Sequence, residues 1–467
     1  MTAHAHTHHL TRRRLLSLGG ATLAGGALGP ASSLLQNAHA AGDDYKALVC
    51  LFLYGGNDGM NMVVPRDATR HAQYAAVRAG LALPRTSLVP LDADYGLHPA
   101  MAALTPAWDE GALTALHNVG PLFAPLTKTQ WRGAAAGDPM VPDSLFSHAD
   151  QQVLWQAASS RTAARTGWGG RASALMGTAN PVISFGGNAH FGLSGTDAAL
   201  VLPGPGAGFQ ANGFYNYAPM MARRAALDAL MNERQASPLA EAFAVQQRSA
   251  KELEGRLAGL FNVNAADPAG IKAAFTTGGA MNTGLGKQLY EVARFVAGRS
   301  QVRGTRQIFF VQMGGFDNHA SQGGESGAHA AQMAQLAGGM AAFWRALKAI
   351  GMADRVTLFT QSDFGRTFAP NSSGGTDHAW GNEQLVMGAA VKGRTTYGQY
   401  PTLALGGPDD VGVNPWELQG RWIPTQSVDQ YAATLLKWWG MNDGQLLSAL
   451  PNLANFGSAR DLGFLTA

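Results

Sequence analysis

The sequence predicts an α/β protein, a three-layer α/β/α sandwich with a mostly parallel central sheet. Two observations lead to this fold class: three apolar runs that each end in a polar or Gly-rich loop, and a long amphipathic segment between two of them. The runs cover residues 46–54, 306–313 and 355–360. Nearly continuous apolar residues are typical of strands that are buried on both faces of a parallel sheet.

The segment 329–350 joins the second run to the third. Its apolar residues recur at spacings of three and four, as expected for a helix: Met333, Leu336, Met340, Phe343, Trp344, Leu347 and Ile350. Strand, helix and strand then form a βαβ unit. Weaker patterns predict strands at 113–117 and 181–185 and helices over 217–259 and 425–439. A chain of 467 residues, 46% of them apolar, must bury a sizeable core, which excludes a disordered protein.

Residues 1–40 have the pattern of a targeting segment. Arg12, Arg13 and Arg14 precede a Gly/Ala-rich apolar stretch, and Ala38-His39-Ala40 supplies a small-x-small cleavage pattern. Paired arginines before a mildly apolar stretch resemble a Tat signal. The alternative is a membrane anchor, which the glycines, Pro30 and the cleavage pattern disfavour. We therefore expect a Tat-type signal peptide over 1–40, the Tat export machinery as a partner, a periplasmic or secreted location, and a single domain with long insertions over 41–467.

Charge and cysteine content exclude several function classes. The leader's three arginines account for the whole net charge of +3, and removing them leaves 31 basic and 31 acidic side chains. No basic cluster follows the leader, so we expect no nucleic-acid partner. No later stretch has eighteen uninterrupted apolar residues, so we expect no membrane span in the mature chain. The single cysteine, Cys50, excludes an internal disulfide and a cysteine-based zinc or iron–sulfur site.

Acidic and imidazole residues follow the apolar runs. They are Asp58 after the first, Asp317 and His319 after the second, and Asp363, Asp377 and His378 after the third. In parallel sheets, ligands bind beyond the carboxyl ends of the strands, where these residues would meet and repel one another unless a cation neutralised them. Mixed Asp and His ligands suit Zn, Mn or Fe, whereas an all-oxygen set suits Mg or Ca. The alternative is that each Asp caps a helix or bonds within its loop.

Isolated histidines receive no such support. We interpret them as structural or surface residues: His71, His98, His117, His190 and His329.

The loops GGNDGMN, GGFDNHASQ, SDFGRT and GTDHAWGN, together with the leader, closely resemble the DUF1501 family over residues 47–456. That family is similar to the alkaline phosphatase/sulfatase superfamily. The resemblance implies an alkaline-phosphatase-like fold with one or two divalent metal ions (Zn, Mn, Ca or Mg). It implies these ligands: Asp58, Asp317, His319, Asp363 and His378. The chain departs from the pattern at Phe364, where a His or Asn ligand is usual, so the second metal site is expected to be weakened or lost. It also spaces Asp317 and His319 as Asp-x-His, where Asp-x-x-x-His is usual.

The resemblance also implies a nucleophile at the start of a helix, and Ser147 matches it best. A helix N-terminus lowers the pKa of a hydroxyl and attracts an anionic ester; the alternative role is an ordinary N-cap. His148 beside it is expected to act as a ligand or a base. Arg366 is expected to stabilise the ester oxygens, unless it only forms a surface ion pair. Cys50 lies inside the first strand and is excluded as a formylglycine precursor.

The expected function is therefore an exported metal-dependent hydrolase of phosphate or sulfate esters, acting on an anionic small-molecule or polymer ester. The first alternative is a catalytically degenerate member of the superfamily that acts as a binding protein at the cell envelope. The second is an SGNH-type esterase with Asn57 as an oxyanion donor. The order of motifs argues against the esterase, because its Gly-Asp-Ser block should come first.

Overall fold

The computed structural model describes residues 44–202, 217–233, 235, 237–257, 260, 270–302 and 304–466. The signal peptide expected over 1–40 lies outside the described residues. Lys46–Ala467 forms one compact unit.

A nine-stranded sheet organises this unit. Its strand order is β11-β5-β10-β9-β1-β8-β6-β7, and β12 also pairs with β5. The strands of this sheet are β1 (Lys46–Leu53), β5 (Leu113–Gly120), β6 (Ile183–Ser184), β7 (Leu200–Val201), β8 (Arg306–Met313), β9 (Val356–Ser362), β10 (Asn382–Met387), β11 (Thr396–Tyr397) and β12 (Gln426–Ser427). A second, antiparallel sheet contains β2 (Val63–Pro65), β3 (Val89–Pro90) and β4 (Tyr95–Leu97).

The three strands expected from the apolar runs are confirmed, and they are neighbours. β1 lies between β8 and β9 and is parallel to both, with Leu53 opposite Met313 on one side and Ser362 on the other. Their carboxyl ends therefore meet at one edge. The sheet is mostly parallel, as predicted, and the exception is β10, which runs antiparallel to both β5 and β9.

Helices connect and cover the strands. In the described ranges they are α1 (Gly59–Met62), α2 (Ala68–Arg78), α3 (Thr105–Asp109), α4 (Lys128–Gly133), α5 (His148–Ala157), α6 (Trp168–Met176), α7 (Ala218–Asn232), α8 (Pro238–Leu257), α9 (Ile271–Thr276), α10 (Gly284–Ala297), α11 (Arg299–Val302), α12 (Ala328–Ala349), α13 (Val428–Trp439) and α14 (Asp443–Ala449). The helix expected between the second and third runs is α12. The helical structure expected over 217–259 is confirmed in its described residues, which form α7 and α8.

Both faces of β1 are buried, which explains its continuous apolar sequence. Leu48, Cys50 and Phe52 belong to a core cluster that includes Trp155 of α5 and Tyr431 of α13. The alternating residues Ala47, Val49 and Leu51 are also fully buried. The helix expected over 425–439 is α13, which begins at Val428, three residues later than predicted. Ser427 and Gln430 form its capping box, and Gly440 ends it in a left-handed conformation.

No helix in the described part of the chain is long and apolar enough to cross a membrane.

Candidate metal centre

The loops beyond β8 and β9 bring the candidate residues to the carboxyl edge of the sheet. Asp317 and His319 follow β8, and His378 lies in the loop that leads into β10. This single loop between β9 and β10 folds back on itself, because Arg366 and His378 within it form an antiparallel bridge. The fourth residue, His148, is the first residue of α5.

Four side chains converge there: His148, Asp317, His319 and His378. Each offers one ligand atom, and these atoms all lie within 4.8 Å of one another. Asp317 Oδ1 lies 3.0 Å from Nε2 of His319, 3.2 Å from Nε2 of His148 and 3.5 Å from Nε2 of His378. The Nε2 atoms of His319 and His378 are 2.9 Å apart. Three imidazole nitrogens and one carboxylate thus face a common point.

An oxygen acceptor holds each of the three imidazoles at its other nitrogen, Nδ1. The Nδ1–oxygen pairs are His148 with the Asp363 carboxylate at 2.7 Å, His319 with the Asp377 carboxylate at 2.9 Å, and His378 with the Phe146 carbonyl at 2.7 Å. A carbonyl only accepts, so Nδ1 of His378 carries a proton. In the neutral ring, Nε2 of His378 then has a free electron pair. His319 has a carboxylate beside each ring nitrogen, Asp377 at Nδ1 and Asp317 at Nε2. Metal-binding histidines are typically oriented in this way.

Nε2 of His319 lies 2.9 Å from Nε2 of His378 and 3.0 Å from Asp317 Oδ1. A proton on His319 Nε2 can bridge these acceptors, and a divalent cation can take the place of that proton. Nε2 of His148 is buried and has no hydrogen-bond partner in the described part of the chain. The donor set therefore fits a divalent metal ion.

The electrostatics agree with an ionised carboxylate at the centre. Burial raises the pKa of Asp317, but the hydrogen bond and charge of Arg366 outweigh it and hold this pKa below its ordinary value. The hydrogen bond that His148 Nδ1 donates to the Asp363 carboxylate raises the pKa of His148. Burial lowers the pKa of His378, which favours its neutral form. Neutral imidazole and ionised carboxylate are the forms that bind metals.

The centre is open to solvent. The side chains of Asp317 and His319 are 49% and 44% exposed, whereas those of His148 and His378 are 29% and 23% exposed. A structural metal site is normally closed, and an open one leaves a coordination position for water or substrate.

A family model described as "Protein of unknown function (DUF1501)" matches residues 45–420, most of the chain. The chain belongs to the DUF1501 family. No curated protein matches its sequence.

In this DUF1501 protein, Asp363 lies behind the group of four rather than in it. Its side chain is fully buried, and its Oδ2 accepts hydrogen bonds from His148 Nδ1, from Gln152 Nε2 at 2.9 Å and from the Gly55 amide at 3.2 Å. The structure therefore places Asp363 as the residue that orients His148. Phe364, the next residue, is also buried, and its ring packs 4.8 Å from that of His148 and 4.6 Å from that of His378.

Asp58, which the resemblance implied as a ligand, is not brought into the group. Its carboxylate is buried and forms an ion pair with Arg78, the last residue of α2. Gln322 Nε2 also donates to Asp58 Oδ2 at 2.6 Å, and Thr376 Oγ1 donates to Gln322 Oε1 at 2.7 Å. These contacts link Asp58, through Gln322, to the loop that carries His378.

The placement of Arg366 argues against its expected role at the ester oxygens. Its side chain has no exposed surface, and one amino group pairs with Asp317 Oδ1. Its other hydrogen bonds go to backbone carbonyls: Gly56 at 2.9 Å, Thr376 at 2.9 Å, Gly55 at 2.6 Å and Phe316 at 3.1 Å. A guanidinium that is buried among these partners positions Asp317 and is not exposed to a substrate.

Ser147 lies directly before α5, as expected for a residue at a helix N-terminus. Its backbone has the extended conformation of an N-cap, yet its hydroxyl makes no cap hydrogen bond. The side chain is half-buried and adjoins His148 in sequence. The hydroxyl is therefore not committed to capping.

Three functional residues escaped assignment from the sequence. The Asp377 carboxylate and the Phe146 carbonyl orient His319 and His378, and Arg78 neutralises Asp58. The loop motif had marked Asp377 as a candidate without giving it this role. The role of the Phe146 carbonyl could not be predicted from the sequence, because every residue has a backbone carbonyl. The pairing of Arg78 with Asp58, 20 residues away, follows no regular spacing.

Proposed function

We propose that this DUF1501 protein is a metal-dependent hydrolase of phosphate or sulfate esters with one divalent metal ion. The observation that carries the proposal is the convergence of three Nε2 atoms on Asp317 Oδ1 within an open site. Strand ends that present such a centre also support the alkaline-phosphatase-like α/β/α fold expected from the sequence. The Tat-type pattern over 1–40 supports export to the periplasm or beyond.

The donor set favours some metals over others. Three imidazoles and one carboxylate suit Zn, Mn or Fe, whereas Mg and Ca prefer oxygen ligands. The ring of Phe364 packs against two of the imidazoles. Because Phe364 has no atom that could bind a metal, its presence there supports one ion rather than two.

The following steps would be carried out by the metal ion and by residues of the chain. A bound divalent ion supplies Lewis-acid charge to the oxygens of an ester. The Ser147 hydroxyl makes no cap hydrogen bond at the start of α5, which supports it as the group that would attack phosphorus or sulfur. Its oxygen forms the new bond, its proton leaves to solvent, and the alcohol departs with the electron pair of the broken ester bond. Water then cleaves the serine ester, so the net reaction consumes one water.

A second candidate is a binding protein that holds a metal and does not turn over substrate. Two observations favour it: the pairing of Asp58 with Arg78 and the apolar Phe364. Both remove donors that the resemblance to the superfamily would lead one to expect.

Metal analysis of the exported chain, combined with chromogenic aryl phosphates and sulfates, tests the proposal. Wild type should carry about one metal ion per chain and hydrolyse one ester class. His319→Ala should lose the metal, and Ser147→Ala should keep it and lose turnover. His71→Ala is the matched control, since His71 Nε2 contacts only the carbonyl of Leu83 in the described part of the chain. Metal without hydrolysis would favour the binding protein, and neither metal nor hydrolysis would overturn the proposal.

A further inference from the structure

A second arginine adjoins the metal centre. Arg421 Nε donates to the backbone carbonyl of His378 at 2.9 Å. Its guanidinium carbon lies 4.8 Å from the centroid of the Phe146 ring. Phe146 is also the residue whose carbonyl holds His378 Nδ1. Arg421 therefore contacts both the residue that would bind the metal and the residue that orients it.

The donors of Arg421 are less occupied than those of Arg366. In the described ranges of the chain, its two terminal amino groups have neither a hydrogen-bond partner nor an ion-pair partner. The side chain is only partly buried. A guanidinium has five N–H donors and prefers planar, two-pronged contacts with anionic oxygens. Here four of the five remain available.

The neighbouring carboxylates do not take these donors. Asp377 Oδ1 already accepts from His319 Nδ1 and from Asn371 Nδ2 at 3.0 Å. Asp410 is buried and accepts from backbone amides, including that of Arg421 at 3.1 Å. Asp377, Asp410 and Glu417 thus act on Arg421 through their charge alone, without a direct contact to its terminal amino groups.

We propose that Arg421 binds the non-bridging oxygens of the tetrahedral phosphate or sulfate group, the role that the sequence had suggested for Arg366. This inference rests on the proposed function and gives it a specificity residue for anionic esters. Contact with the Phe146 ring limits the rotation of the guanidinium, so little freedom is lost when an oxyanion binds. Lysine offers a point charge without the planar fork, and it would replace arginine only in part.

The test uses the metal-loaded full chain with Arg421→Gln and Arg421→Lys. Arg85→Gln is the control, because Arg85 is an exposed arginine in the segment between α2 and β3. Calorimetry with inorganic phosphate and with sulfate measures anion binding, and metal content is measured on the same samples. Losing contacts to a charged group should weaken binding of the preferred anion about ten- to hundredfold in Arg421→Gln. Arg421→Lys should lie between, and Arg85→Gln should match wild type. KM for the chromogenic ester should rise in the same order.

Three outcomes would overturn the inference. In the first, Arg421→Gln binds the anion as tightly as wild type. In the second, metal-loaded wild type binds neither phosphate nor sulfate. In the third, Arg421→Gln loses its metal, which would make Arg421 a positioning residue for His378. All three leave the proposed function to its own test, which is the metal content and turnover of wild type.

Discussion

The behaviour of each imidazole at the centre depends on the acceptor behind its Nδ1. For His148 that acceptor is the buried carboxylate of Asp363, which also receives Gln152 and the Gly55 amide. A carboxylate in this position fixes the ring and raises the basicity of its other nitrogen. His148 therefore depends on Asp363 for both its orientation and its strength as a ligand.

We expect Asp363→Asn to weaken metal binding about tenfold or more, because the amide keeps the shape of the side chain and loses its charge. Competition with a coloured chelator measures the affinity. Asp109→Asn, an exposed change at the end of α3, should have no effect. Unchanged affinity in Asp363→Asn would contradict the inference that the Asp363 carboxylate strengthens His148 as a ligand.

His117 provides a pH prediction away from the centre. It is buried between Tyr95 and Tyr400, and neither of its ring nitrogens has a hydrogen-bond partner among the described residues. Burial lowers its pKa from 6.5 to about 3. Below pH 6.5 His117 therefore binds a proton in the unfolded chain but stays neutral in the folded chain. The contribution of neutral His117 to the free energy of unfolding is present above pH 6.5 and is lost as pH falls towards 3.

His117→Phe should remove that dependence, since a phenyl ring fills a similar space and does not titrate. In urea unfolding between pH 6.5 and 4, the free energy of unfolding should fall more steeply for wild type than for His117→Phe. The difference in slope should be up to about 1.4 kcal/mol per pH unit. At pH 7 the two proteins should be similar in stability. Parallel pH profiles would mean that His117 is protonated in the folded state.

At the scale of elements, the centre depends on how closely the loop after β1 approaches the loop after β8. Gly55 has a φ of +112°, and a Cβ built on it would lie 2.5 Å from the Asp317 backbone nitrogen. A side chain here would push Asp317 away from the three imidazoles.

Gly55→Ala should therefore lower both stability and metal affinity. Gly187→Ala is the control, because Gly187 also has a positive φ, +82°, but has open space around the Cβ position. The control should cost about 1–2 kcal/mol in urea unfolding and leave metal affinity unchanged. Gly55→Ala should cost more and weaken metal binding in chelator competition. Equal metal affinity in the two variants would contradict this account of the loop contact.

The sequence predicted those elements whose burial is strong and uniform. The strands β1, β8 and β9 followed from continuous apolar runs, and α12 followed from its periodicity. Two-residue strands such as β11 and β12 are set by pairing with β5 and have no pattern of their own. The antiparallel direction of β10 likewise depends on its neighbours.

The centre was predictable only in part, for a similar reason. Asp317, His319 and His378 were found because strand ends gather polar residues. Asp58 satisfied the same rule, but it pairs with Arg78, and pairing is a tertiary property that spacing does not encode. The burial of Arg366 against four carbonyls is tertiary in the same sense.

For the whole molecule, the centre joins distant parts of the chain: the start of α5, the loop after β8 and the loop before β10. A bound ion would hold the three together and stabilise the folded state in proportion to its occupancy. At a free metal concentration a thousandfold above Kd, the gain is about 4 kcal/mol.

Thermal unfolding with and without a chelator tests this coupling. Wild type should unfold at a lower temperature once the metal is removed. The unfolding temperature of His319→Ala should be the same with and without chelator. A wild-type midpoint that does not respond to metal or chelator would contradict a site that spans these loops.

The position of Cys50 has a practical consequence. This lone thiol lies in the middle of the central strand β1, is fully buried, and burial raises its pKa well above the ordinary value. Alkylating reagents react with exposed thiolate, so labelling requires β1 to leave its neighbours. The rate at which iodoacetamide modifies Cys50 would therefore measure how often the centre of the sheet opens, and no engineered cysteine would be needed.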